Sequence, residues 1–253
     1  MSTQTAARRR LPNVRFRVLI AGRANAGKTS ILQRVCDTTE SPKTYRVTVV
    51  KGKETRTEVP VNCVFSQRGQ HDISDELEFT NHMGYVFHDS RGFECGTTSE
   101  LKIIQDFVHD RSQRKRLRER LHAIWYCIPM DDQRPGLDIA PLDSDAHQVP
   151  VIAVFTKFEA FRHNIQLDLE DDDQMQQVNP QDECERIFKA EYLGRLGKGP
   201  KFVRLEGMDK SDARCENLIG TTLEVLDPAT VALMLLAVQV QNLELSVQYV
   251  VRR

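Results

Sequence analysis

The chain has 253 residues, 40% hydrophobic and 28% charged, which is enough for one sizeable α/β core or two small ones. Lys plus Arg (35) nearly balances Asp plus Glu (36), for a net charge of -1. That excludes gripping nucleic acid by bulk charge and leaves only a local basic patch for the purpose. The six cysteines form no CxxC or CxxxC pair, so a zinc ribbon is not expected, and reduced thiols in a cytoplasmic setting are. The leader MSTQTAARRR lacks an apolar stretch and does not read as a signal peptide. Val231 to Val238, the longest apolar run near the C-terminus, would span about 12 Å as a helix against a hydrocarbon core of about 30 Å. No membrane-spanning helix is expected from it.

A flexible basic leader (1–13) precedes Arg15 to Ala21 (RFRVLIA), which reads as a strand entering a core. Gly22 to Ser30 follows as a glycine loop, and ILQRVCD carries helical apolar spacing at Ile31, Leu32 and Val35. Residues 37–70 are polar, with one short hairpin expected around Tyr45 to Val61. Ile73 to Phe79 alternates and suits an antiparallel edge strand, with Tyr85 to His88 next. A helix is expected from Ser99 through the basic stretch to Leu121. Ala123 to Met130 and Val149 to Phe155 are apolar nearly throughout, as parallel strands covered on both faces are. Lys201 to Leu205 is a third such candidate. A helical excursion is expected at about 160–197, and Asp227-Pro228 opens a last helix over about 228–251. The alternation predicts a single α/β domain over 14–253: a mostly parallel, doubly wound sheet with one antiparallel edge strand.

Gly22 to Thr29 fits GxxxxGK(S/T) without a gap, a match expected by chance in about 1% of chains this long. Its glycines let backbone N–H groups point inward on phosphate oxygens, aided by the helix N-terminus. Gly22, Ala24, Asn25, Ala26, Gly27, Lys28, Thr29 and Ser30 are therefore the candidate phosphate residues. Lys28 supplies a point charge to the β and γ phosphates, and the Thr29 hydroxyl is a candidate Mg2+ ligand. His88-Asp89-Ser90-Arg91-Gly92 ends a strand in DxxG, which makes Asp89 the second metal anchor and the Gly92 amide a γ-phosphate sensor. Thr156-Lys157-Phe158-Glu159 ends a buried strand where guanine sites read (N/T)KxD. A carboxylate there accepts from two guanine N–H groups, which adenine cannot satisfy. The extra methylene of Glu159 moves that acceptor by about 1.5 Å. Gly207, in LEGM after the third strand, is the candidate for backbone contact with the base.

Together these motifs resemble the translation-factor class of GTPases, and GRANAGKTS looks closest to the branch containing the Era-, TrmE- and septin-like proteins. GRANAGKTSILQRVC, RGQHDISDEL, HDSRGFE, RLHAIWYCIPMD and NLELSVQYVVRR are similar to a family of G-domain proteins abundant in mushroom-forming fungi. The resemblance implies a three-layer P-loop NTPase fold (a small G domain) and a GTP/GDP switch with Mg2+-dependent hydrolysis. Phe93 stands where Ras-like enzymes carry a water-orienting Gln, so unaided turnover is expected to be slow. The branch implies completion of the site by an activating protein, a homodimer or K+, with Asn25 where cation-dependent members hold that ion. No Thr lies where small GTPases place the first-switch residue; Ser66, Arg68 and His71 are nearest, and Arg91 is a further phosphate candidate.

Two other readings stand beside this one: a catalytically weak nucleotide-binding interaction module, and an adenine-nucleotide ATPase or small-molecule kinase. Arg111 to Arg120 packs six basic residues into ten, read first as a solvated helix face and second as a nucleic-acid, anionic-lipid or acidic-partner surface. The last helix is read first as docked on the sheet and second as a membrane or partner contact.

Overall fold

Strand β1 (Phe16–Ala21) is buried at all six positions and forms the middle of an eight-stranded sheet. The computed structural model describes residues 15–50, 53–59, 72–80, 82–90, 98–132, 149–171, 178–196 and 200–238. The helix α1 (Lys28–Val35) leaves the loop after β1. Strands β2 (Lys43–Val50), β3 (Lys53–Val59), β4 (Glu76–Phe79) and β5 (His82–Asp89) come next, then α2 (Thr98–Ser112) and β6 (Ala123–Pro129). β7 (Val151–Thr156) leads into α3 (Phe158–Asp171). α4 (Pro180–Ile187) continues through a π turn at Phe188–Leu193 and a last turn at Gly194–Leu196. β8 (Lys201–Arg204), α5 (Glu216–Val225) and α6 (Pro228–Val238) complete the described chain.

The sheet order is β3-β2-β4-β5-β1-β6-β7-β8. β5, β1, β6, β7 and β8 run parallel, while β4 is antiparallel to β5. The β2–β3 hairpin extends that antiparallel margin outward, so β3 is the outermost strand. Period-2 alternation divides the core. Phe16, Val18 and Ile20 face Ile31 of α1, Leu218 and Leu223 of α5, and Met234 of α6. Leu19 and Ala21 face Phe107 of α2, Phe161 and Ile165 of α3, and Phe188 and Tyr192 beyond α4. Helices therefore cover both faces, which makes three layers. Among the described residues no helix is long and apolar enough to cross a membrane.

The basic stretch departs from the single helix expected to Leu121. α2 stops at Ser112, and only a 3-10 turn at Leu117–Glu119 follows. Side chains of the sheet hold the intervening carbonyls: Arg17 Nε donates to Arg118 O at 3.0 Å, and the His122 ring meets Leu117 O at 2.8 Å. A continuous helix would spend those carbonyls internally. Arg111 is buried, whereas Arg116 lies open to solvent.

Arg17 also anchors an ion cluster on β4. Its Nη2 lies 2.7 Å from Glu76 Oε1, while Arg15 and Arg56 reach Glu76 Oε2 at 3.0 and 2.8 Å. Burial pushes the Glu76 carboxyl up, but Arg17, Arg15 and Arg56 overcome it and hold it down to about 2. Burial lowers His122 to about 4. Both groups have folded values below their unfolded ones, so both withdraw stability as pH falls. The thermal midpoint is expected to drop from pH 6.5 to 4 through His122 and from 4.5 to about 2 through Glu76. Glu76→Gln is expected to flatten the lower limb and to cost about 3 kcal/mol at pH 7, since it strands buried guanidinium charge. Thermal melts across pH check this; an unchanged lower limb would contradict it.

α6 lies across β5 at backbone distance. A Cβ on Gly84 would fall 2.7 Å from Ala237 Cα, so only glycine lets the helix dock there. Gly84→Val is expected to lower the thermal midpoint by about 3–10 °C, as overpacking of a core contact does in a chain of this size. Calorimetry of the variant reads the effect directly.

Candidate functional site

The loop after β1 is built by steric demand. At Gly22 (φ +143) a Cβ would sit 2.4 Å from the Cys127 carbonyl oxygen of β6, so a side chain is excluded. Asn25 (φ 61) and Gly27 (φ 74) take left-handed backbone, and the Ala26 amide bonds the Arg23 carbonyl at 3.3 Å. α1 starts on Gly27 with no side-chain cap and no acidic residue in its first turn. Its positive end is thus free of an internal anion, which suits a phosphate. Ala24, Asn25 and Thr29 are exposed, Gly27 and Ser30 half-buried, and Ala26 buried.

Lys28 folds back over this loop. Its Nζ donates to Gly22 O at 2.8 Å and Arg23 O at 3.0 Å, and lies 4.0 Å from Asp89 Oδ1. Two of three donors are spent on the loop and the third is left for an anion. The parallel register Ile20↔Asp89 brings the end of β5 beside the end of β1. Asp89 Oδ1 is buried without a hydrogen-bond partner. Burial raises the Asp89 carboxyl to about 6, only partly opposed by Lys28. An underpartnered carboxylate oxygen at the end of β5 and an exposed threonine hydroxyl in the first turn of α1 are ligand types that suit a divalent cation.

The base-loop residues converge unevenly. Thr156 is buried and donates from Oγ1 to Ala26 O at 3.1 Å, tying the end of β7 to the phosphate loop. Lys157 (φ 54) donates to Asp131 Oδ2 at 2.5 Å. The Leu205 amide bonds Phe155 O at 2.8 Å and the Phe158 amide bonds Leu205 O at 3.2 Å, so the loops after β7 and β8 are stitched together. Gly207 (φ +59) follows directly. Glu159 sits apart: it lines a 370 Å³ cleft with Arg162, His163, Gln166, Pro180, Gln181 and Cys184, none of them in the phosphate loop. Its Oε2 is buried without a hydrogen-bond partner.

Asp131 and Asp132, just past β6, belong to the site although no motif marks them. Asp132 pairs with Arg23 of the phosphate loop, and Asp131 pairs with Lys157 of the base loop. An acidic dipeptide ending an apolar strand is the same signal that marks Asp89. Gly92, Phe93, Arg91, Ser66, Arg68 and His71 lie outside the described residues.

A phosphate-loop sequence between the central strand and its helix, in a mostly parallel sheet covered on both faces, defines the architecture. It is a three-layer P-loop fold. No protein-family model matches the chain. No curated protein sequence is detectably similar to it. Among solved structures it is similar to the G domain of the T. maritima FeoB iron transporter, over 83% of this chain and 98% of that one, at 16% identity and TM-score 0.37. The septin GTPase domain of Chlamydomonas reinhardtii aligns with 85% of this chain and 71% of its own, at 19% identity and TM-score 0.39. Aquifex aeolicus Era bound to GDP and AlF4- aligns with 84% of this chain and 57% of its own, at 16% identity and TM-score 0.39. At these values the chemistry has to be read from this chain's own residues.

The raised Asp89 value fixes the sign of its effect on stability. Its contribution is fully present below 3.8 and is lost as pH rises through about 6, so the charged form is unfavourable at pH 7. In protein free of metal and nucleotide, Asp89→Asn is expected to raise the thermal midpoint slightly, by about 1–3 °C after solvent screening of this half-exposed group. A lowered midpoint in the stripped variant would contradict the assignment of unrelieved charge.

Proposed function

We propose that this chain is a guanine-nucleotide-binding switch with slow intrinsic Mg2+-dependent GTP hydrolysis. One observation carries the reading: the Lys28 ammonium, with one donor left, stands between an uncapped helix N-terminus and the underpartnered Asp89 carboxylate. A triphosphate with its divalent cation satisfies all three groups at once. Lys28, Gly22, Ala24, Asn25, Ala26, Gly27 and Ser30 bind the phosphates, and Thr29 and Asp89 hold the cation. Bound Mg2+ neutralises charge developing on the phosphate oxygens. Thr156, Lys157 and Gly207 face the base, with Lys157 steadied by Asp131, and Glu159 reads it only on turning out of the cleft it lines. Hydrolysis is electrostatic, through Lys28 and the loop amides, with Gly92 sensing the γ-phosphate. Phe93 supplies no group to orient water, so turnover awaits an activating protein, a homodimer or K+ at Asn25. Kinship with the fungal G-domain family, and a cytoplasmic site of action, belong to the same reading.

The placement of Glu159 favours a second reading. Its carboxylate lines a cleft shared with no phosphate-loop residue, which supports a nucleotide-binding interaction module with weak base selectivity and little turnover.

Calorimetry of nucleotide-stripped protein with Mg-GDP, Mg-GTP, Mg-ADP and Mg-ATP separates the two. The switch reading expects guanine nucleotides to bind at least about a hundredfold tighter than adenine, a difference of about 2.7 kcal/mol. It also expects Lys28→Ala to abolish both. Equal affinities would hand the lead to the interaction module, and no binding at all would overturn both readings.

A further inference from the structure

Arg34, near the end of α1, is 9% exposed and works only on backbone carbonyls. Its Nη1 donates to Ser211 O at 2.8 Å and Lys210 O at 3.3 Å, and its Nη2 to Thr38 O at 3.3 Å. Close by, Arg214 Nη1 stands 3.7 Å from Asp37 Oδ1, a second tie between the same two segments. The segment reached is the loop that leaves β8 through Gly207. The start of that loop is pinned to the sheet by the Leu205 amide on Phe155 O. Its later part is pinned to α1 by Arg34.

α1 thus carries two jobs on one short rod. Lys28 and Thr29 stand at its phosphate end, and Arg34 lies six residues further, about 9 Å along the axis. We propose that Arg34 is a positioning residue for the nucleotide base: through α1 it fixes the Gly207 loop at a set distance from the phosphate loop. This rests on the guanine-nucleotide reading above. The residue type matters because a guanidinium fork reaches carbonyls of two segments at once, whereas an ammonium acts as a single point charge. Gly207 turns the chain with left-handed backbone, and the residues that follow offer the Lys210 and Ser211 carbonyls to Arg34.

The test compares wild-type full chain with Arg34→Met and Arg34→Lys, titrated with Mg-GDP and separately with inorganic triphosphate as a probe of the phosphate loop alone. Amide exchange over residues 208–213 is followed in parallel. Arg34→Met is expected to weaken Mg-GDP about tenfold, the scale of one charge-assisted hydrogen bond, and to speed exchange in that loop. Inorganic triphosphate is expected to stay within about twofold. Arg34→Lys keeps the buried stem and charge and is expected to fall between; it carries the comparison if the Met variant does not fold. Parallel loss of both ligands would show a merely structural tie and overturn the proposal, as would unchanged Mg-GDP affinity. A wild-type protein that does not prefer guanine overturns the nucleotide reading instead, and with it the base role of Arg34.

Discussion

The close approach of Gly22 to the Cys127 carbonyl is the constraint on which the phosphate loop depends. A would-be Cβ only 2.4 Å from that oxygen means that the chain leaving β1 runs against the β6 backbone with no side chain between them. The chain can then turn sharply enough for Lys28, six residues on, to fold back and bond the Gly22 carbonyl. Loop, lysine and helix start are set by one contact. β5 joins them through its register, which carries Asp89 to within 4.0 Å of the Lys28 ammonium.

Two kinds of tie spread outward from that junction. Backbone bonds stitch the ends of β7 and β8, and Thr156 fastens them to the phosphate loop through the Ala26 carbonyl. Ion pairs add the acidic dipeptide after β6, with Asp132 on Arg23 and Asp131 on Lys157. These pairs are partly exposed, so they contribute little stability on their own. Their larger effect is orientation, since each keeps a cation of the site from folding onto other carboxylates. The buried cluster of Arg17, Arg15, Arg56 and Glu76 joins β1 to the antiparallel strands.

Much of the site was legible because its chemistry is local. Gly22 to Ser30 needs glycine, lysine and a hydroxyl at fixed offsets in one turn, and Asp89 ends an apolar strand where a metal anchor belongs. The bend at Ser112 was not legible, because the basic stretch has good helical composition and nothing within it stops a helix. Beyond the stop, the Leu117 and Arg118 carbonyls go to His122 and to Arg17, the latter about a hundred residues away in sequence. Arg34 was invisible for a similar reason: a lone arginine on a helix usually faces solvent, and only the Gly207 loop turns it inward.

Local sequence was enough for the succession of strands along the chain, the glycine loop between β1 and α1 and the parallel core, since periodicity and glycine sterics act within a few residues; it did not mark α5 (Glu216–Val225) or the end of α2 at Ser112. The tertiary structure alone decided which charges meet. Asp131 and Asp132 became partners of Lys157 and Arg23, β3 became the outer edge, and Glu159 came to line the cleft beside α4. Those outcomes depend on strand register and helix placement, which bring residues scores of positions apart within hydrogen-bond distance, and no local pattern encodes a separation of that length.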